Sequence, residues 1–96
     1  MWKKYIKYMT KIDDPFINIL PQIDLHGENS LTSLILIDQF INDNIKLRNY
    51  KIVLIHGKGS GILRKTIHKY LKNDKRVIEY KTDNLNDGIT VVTLRG

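Results

Sequence analysis

Two histidines stand thirty residues apart, each closing an apolar run. The first setting is Ile23-Asp24-Leu25-His26-Gly27, and the second is Ile52-Val53-Leu54-Ile55-His56-Gly57-Lys58-Gly59-Ser60-Gly61. Asp24 and His26 are two apart, so on a strand their side chains share a face. A carboxylate beside an imidazole orients the ring and favours its protonated form. Such a pair suits general acid–base work, worth typically ~10²–10⁴ in rate. Alone, an Asp-x-His pair more simply satisfies loop backbone at a strand end. The arrival of His56 at the same edge is what turns the pattern toward chemistry.

Gly57, Gly59 and Gly61 let the backbone come close to an anion. The helix that follows offers unpaired N–H groups and a positive dipole end, a setting for phosphate, and Lys58 and Arg64 add full charges there. Two other phosphate motifs are excluded. A P-loop needs glycine five residues before the Gly-Lys pair and Ser or Thr after it, where Ile52 and Gly59 stand. The dinucleotide fingerprint needs Gly-x-Gly-x-x-Gly, and here the third glycine comes one residue early. His26, His56 and Asp24 also compose a two-histidine, one-carboxylate metal set, which the spacing permits without requiring. Ser60 lacks the Gly-x-Ser-x-Gly elbow of a nucleophilic serine.

The elements that must position these residues follow from periodicity. The gap between the histidines suits one strand–helix–strand unit. If its two strands are parallel neighbours, their carboxyl ends share an edge, and Asp24, His26, His56 and the glycine turn converge on one crevice. Asn29 or Ser30 caps a helix that runs to about Leu47, with Leu31, Leu34, Ile35, Ile37, Phe40, Ile41 and Ile45 at helical spacing. Lys51–Ile55 is an uninterrupted strand, central and buried on both faces. Ile62 to about Lys72 is a second helix with Leu63, Ile67, Tyr70 and Leu71 on its core face. Arg64, Lys65, His68, Lys69 and Lys72 form a basic stripe opposite, with His68 as a surface residue. Arg76–Lys81 and Ile89–Leu94 pair as an antiparallel hairpin. The predicted class is α/β: a two-layer sandwich of order β-α-β-α-β-β, with a four-stranded mixed sheet and two main helices.

Residues 1–21 form a leader, and residues 22–96 the domain. Trp2, Tyr5, Ile6 and Met9 fall on one helical face, and Asp13-Asp14-Pro15 ends that helix. It docks on the domain or frays; a membrane-surface or nucleic-acid anchor is the alternative. At 96 residues the chain holds one domain. No run approaches the ~18 apolar residues of a membrane span, and no secretory signal is visible. Cysteine is absent, which rules out disulfides and thiolate metal sites and fits a reducing cytoplasm. Sixteen Lys plus Arg against ten Asp plus Glu give a formal charge of +6, which favours polyanionic partners, mainly nucleic acid or an anionic lipid surface, with plain solubility as the alternative.

At its two histidine motifs the chain resembles the Smr (small MutS-related) domain family. Ile23-Asp24-Leu25-His26 is similar to the family's Leu-Asp-x-His motif. His56-Gly57-Lys58-Gly59-Ser60-Gly61, followed by Leu63-Arg64, matches its His-Gly-x-Gly-x-Gly motif. Gly88, Thr90 and Val92 fit the third motif, a glycine-rich turn before a Thr-x-Val strand, while Leu85 and Asn86 stand where glycines are common. The resemblance covers about residues 22–94. It implies a compact sandwich similar to the C-terminal domain of translation initiation factor three, nucleic-acid binding, and often endonuclease activity on RNA or DNA. Members are reported to cleave messenger RNA at stalled ribosomes or to nick DNA, so the ribosome and DNA repair or recombination are implied settings. The chain has no MutS-like ATPase and looks like a free-standing Smr protein.

Two functions are expected. In the first, an endonuclease, Asp24, His26 and His56 handle protons while Gly57, Lys58, Gly59, Gly61, Arg64, Lys65, Lys69 and Lys72 hold the phosphate backbone. RNA offers its own 2′-hydroxyl and needs no metal; DNA needs an attacking water, which brings in a divalent ion such as magnesium. The second is a non-catalytic module that binds nucleic acid or ribosomes. Substrate preference and oligomeric state are not legible in the sequence.

Overall fold

A computed structural model of the chain describes residues 19–96. The leader helix expected over residues 1–11 lies outside them. The elements are β1 (Gln22–Asp24), α1 (Ser30–Lys46), β2 (Lys51–Ile55), α2 (Ile62–Lys72), β3 (Val77–Thr82) and β4 (Ile89–Leu94). The order and the α/β class are those expected from the sequence. No helix among the described residues is long and apolar enough to cross a membrane.

The four strands form one mixed sheet in the order β1-β2-β4-β3. β1 runs parallel to β2, with Asp24 registered against Ile55. β4 lies between β2 and β3 and is antiparallel to both. Alternation sorts the strand side chains onto two faces. Ile23, Leu25, Ile52, Leu54, Val92 and Leu94 pack with Ile37, Phe40 and Ile41 of α1 and Ile67 and Leu71 of α2. On the other face Val53, Ile55, Ile89 and Val91 form a second cluster, with Leu20 against it. This two-sided burial explains why β2 reads as a continuous apolar run rather than an alternating one.

α1 begins where Asn29 Oδ1 accepts the Thr32 N–H at 2.8 Å, a side-chain cap for one of the helix's orphan donors. It ends at Arg48, whose φ of 62° is left-handed, and the Asn49 N–H returns to the Asn44 carbonyl at 2.8 Å. The inward face of α1 is narrower than its apolar spacing suggested: Leu31 and Ile35 are 71% and 54% exposed, whereas Ser33 and Asn44 are buried. Asn44 tolerates burial because its amide donates to the Phe40 carbonyl at 2.8 Å.

Arg76 ties the start of β3 to α1 and to the turn that follows α2. Its guanidinium donates to Asp74 Oδ2 at 2.6 Å, Asp38 Oδ1 at 2.9 Å and Asn42 Oδ1 at 2.8 Å. These charge-assisted bonds hold the Asp74 carboxyl below the usual carboxylate range. The turn before β4 manages without glycine at Leu85 and Asn86. Asp83 Oδ2 accepts the N–H groups of Leu85 and Asn86 at 3.1 and 2.9 Å, and Asn86 Oδ1 accepts that of Gly88 at 2.9 Å. Side-chain oxygens supply the bends that glycines would otherwise allow.

Candidate functional site

Parallel pairing of β1 and β2 brings both histidine motifs to one edge of the sheet. At the end of β1, Asp24 Oδ1 accepts the His26 backbone N–H at 3.1 Å and also pairs with His26 Nδ1. The Asp24 side chain is 4% exposed and the His26 side chain 63%. A shielded carboxylate thus sets the tilt of an imidazole whose ring meets solvent. Directly across the edge stands Gly57: a methyl group there would lie 3.2 Å from His26 Cβ.

His56 goes the other way. Asp24 shares the face of Ile55, away from the helices, whereas His56 follows Leu54 onto the helix side, with 4% exposure. Its Nδ1 lies 3.0 Å from the Gly57 carbonyl oxygen, and its Nε2 lies 2.8 Å from Thr90 Oγ1. Burial, reinforced by the charge of Arg64, holds its pKa below the ordinary histidine value against the pull of the Gly57 carbonyl and Asp87. So the expected convergence holds for the backbone edge and fails for the rings: the dyad and His56 occupy opposite faces. The two-histidine, one-carboxylate metal set fails for the same reason. Among the described residues no three His, Asp or Glu side chains come together as metal ligands.

Gly57 and Gly61 adopt φ of 82° and 84°, where a side chain would be strained. The turn is backed by Gly88, whose carbonyl accepts the N–H groups of His56 and Gly57 at 2.9 and 3.0 Å. A methyl at Gly88 would meet the Gly57 carbonyl carbon at 3.0 Å. Gly61 caps α2 with no side-chain bond; Ser60 Oγ accepts the Ile62 N–H at 3.4 Å, and the following first-turn amides lie beside the exposed Lys58 and Gly59. Arg64 folds back over the turn, with Nη2 3.5 Å from where a Gly61 Cβ would be. The edge therefore joins an oriented imidazole, a glycine turn and a guanidinium.

Residues 23–95 match the family model described as the Smr domain. The chain belongs to the Smr domain family. Among its relatives, the endonuclease MutS2 of Finegoldia magna is 39% identical over 71 residues, which are 74% of this chain and 9% of that protein. The endonuclease MutS2 of Helicobacter pylori is 36% identical over 76 residues, 76% of this chain and 10% of that one. This Smr domain chain thus spans about a tenth of the length of those relatives. The crystal structure of the Smr domain of Thermus thermophilus MutS2 matches with a TM-score of 0.76 and 35% identity, over 78% of this chain and 98% of that one. YdaL, a stand-alone small MutS-related protein from Escherichia coli, shares the fold with a TM-score of 0.73 at 21% identity, over 78% of this chain and 64% of its own.

Within this Smr domain the basic stripe of α2 is not one face. His68 sits beside the core residues Ile67 and Leu71, one turn on from Arg64, and turns toward the sheet while Arg64 turns back over the glycine turn. The expectation that His68 is a surface residue is overturned: Nε2 lies 2.8 Å from Thr90 Oγ1, and the ring packs at 5.0 Å on Tyr80 and edge-on at 6.1 Å to His56. Burial, with His56 and Arg64 adding to it, lowers its pKa. Lys65, Lys69 and Lys72 are exposed. Lys69 lines a groove of about 600 Å³ between the helices with Leu34, Thr66, Tyr70, Asn73, Asp74 and Lys75, a groove that shares no residue with the dyad or the glycine turn. Thr90 is the residue that motif reading undervalues: it stands as a position of the third motif with no role, yet it bonds the buried His56 and the half-buried His68.

Proposed function

We propose that this Smr domain binds nucleic acid and cleaves its phosphodiester backbone at the shared β1–β2 edge. One observation carries the reading: the exposed His26 ring is oriented by a shielded Asp24 beside the glycine turn, where a methyl on Gly57 would lie only 3.2 Å from His26 Cβ. The relatives' name, endonuclease, points the same way, and so does the charge of +6.

In this reading a phosphate rests at the N-terminus of α2, displacing the long Ser60 Oγ bond from the Ile62 N–H, with Lys58 and Arg64 balancing its charge. On RNA, His26 takes the proton of the 2′-hydroxyl as that oxygen attacks the adjacent phosphorus. The bond to the 5′-oxygen of the next nucleotide breaks, and that oxygen takes a proton from solvent water while the 2′-oxygen and phosphorus close a cyclic phosphate. Asp24 stabilises the imidazolium formed. Asp24 and His26 keep the catalytic role, while the interior bonds of His56 make it a positioning residue that holds the turn. Lys65, Lys69 and Lys72 extend the backbone contact. RNA is the favoured substrate because its 2′-hydroxyl supplies the nucleophile that the His26 base can activate, and a ribosome-bound RNA is one form of it.

The test is incubation of the chain and its Asp24→Asn variant with labelled single-stranded RNA, duplex RNA and supercoiled DNA, with and without chelator. The reading expects chelator-resistant cutting of RNA by the wild type and little by the variant. Binding without cutting in every arm leaves a non-catalytic nucleic-acid module as the answer.

A further inference from the structure

We propose that His68 is a positioning residue for the glycine turn, acting through Thr90 and His56. This rests on the reading of that turn as the phosphate-holding element. The argument is one of hydrogen-bond direction. The Gly57 carbonyl can only accept, so the proton of His56 must sit on Nδ1, 3.0 Å away. With the ring neutral, Nε2 is then an acceptor, and the hydroxyl of Thr90 at 2.8 Å supplies its proton. A hydroxyl has one proton to give, so Thr90 Oγ1 faces His68 as an acceptor, and His68 must present N–H at Nε2, also 2.8 Å away.

The chain therefore runs in one direction: His68 to Thr90, Thr90 to His56, His56 to the Gly57 carbonyl. It crosses from α2 to β4 to the turn that precedes α2, and it ends at the residue that packs against His26 Cβ. The alternative, a cationic His56 donating at both nitrogens, would bury a charge beside Arg64. From α2, Arg64 and His68 face His56; from the β3–β4 turn, Asp87 does; from β4, Thr90 does. His68 in turn meets Arg64, His56 and the Tyr80 ring of β3. Its place in α2 sets where the turn, and with it the phosphate seat, stands relative to the dyad.

Nitrogen NMR of the imidazole rings in the full chain reads the protonation pattern directly. The expected result is neutral His56 with its proton on Nδ1 and His68 with its proton on Nε2. His68→Gln keeps an N–H donor at similar reach; His68→Leu has none. The Gln variant should keep the amide resonances of Gly57, Gly59 and Gly61 and the affinity for a labelled single-stranded RNA oligomer. The Leu variant should move those resonances and weaken RNA binding about tenfold, the scale of one lost hydrogen bond. A His56 proton on Nε2, or turn resonances in the Leu variant that match wild type, overturns the proposal. If the Leu variant does not fold, the wild-type ring spectrum and the Gln variant still decide it. If wild type binds no RNA, the functional reading falls, and the turn resonances alone decide whether His68 positions the turn.

Discussion

His26 and Gly57 face each other across the parallel β1–β2 edge so closely that a methyl on the glycine would lie 3.2 Å from the histidine Cβ. The contact joins two motifs that the chain separates by a whole helix. It also gives Gly57 two reasons to lack a side chain, since its φ is 82°. Gly57→Ala should therefore cost about 1–2 kcal/mol from the left-handed backbone alone, read as a lower denaturant midpoint, and should displace His26. Cleavage should fall further than stability does. An alanine variant with wild-type activity would show that the close approach is irrelevant to the chemistry.

The dyad makes a separable claim. His26→Ala and Asp24→Asn should slow cleavage by ~10²–10⁴, or roughly 3–5 kcal/mol of barrier, while leaving nucleic-acid affinity near wild type. His56→Ala should behave differently, because its ring holds the turn: binding and stability should fall together with rate. Single-turnover rates beside equilibrium binding separate the two patterns. Equal loss of binding in all three variants would contradict the division between chemistry and positioning.

Stability should depend on pH through the interior histidines. Burial holds both His56 and His68 below the usual histidine pKa of about 6.5. Between that value and the folded values, the unfolded chain binds protons that the folded chain excludes, so stability rises with pH there. It is therefore complete above pH of about 6.5 and declines as the pH falls through the folded pKa values. Thermal melts across about pH 5 to 7.5 should show the midpoint falling on the acid side, and His68→Gln should flatten that slope. A midpoint that is level through the window would mean that the rings titrate alike in both states.

Salt dependence ranks the cations. Arg64 leans over the glycine turn, whereas Lys69 opens onto the groove between the helices. Removing a true phosphate contact lowers the logarithmic salt slope by ~0.7–0.9. Arg64→Ala should show that full decrement, and Lys69→Ala a smaller one. Titrations of one labelled RNA at several salt concentrations measure both. A larger effect at Lys69 would move the nucleic-acid path onto the helix groove.

The α/β order, the central β2 and the two motif edges were legible because each depends on local pattern: unbroken apolar runs, helical spacing, glycine and proline punctuation. Asp24 and His26 were legible for the same reason, since alternation puts residues two apart on one face of a strand. What the chain could not announce is the side on which a residue near a strand end leaves the sheet. Asp24 and His56 follow adjacent strands to one edge, and a register of Asp24 on Ile55 sends them to opposite faces. Nor could it announce that His68, amid Arg64, Lys65, Lys69 and Lys72, would rotate inward to reach a hydroxyl 22 residues away.

Sequence alone determined which groups exist and which near neighbours share a face. Tertiary structure alone decided which hydrogen-bonding groups share the interior, because a buried imidazole must find a partner for each nitrogen wherever the packed chain provides one. Thr90 provides it for His56 and His68 together.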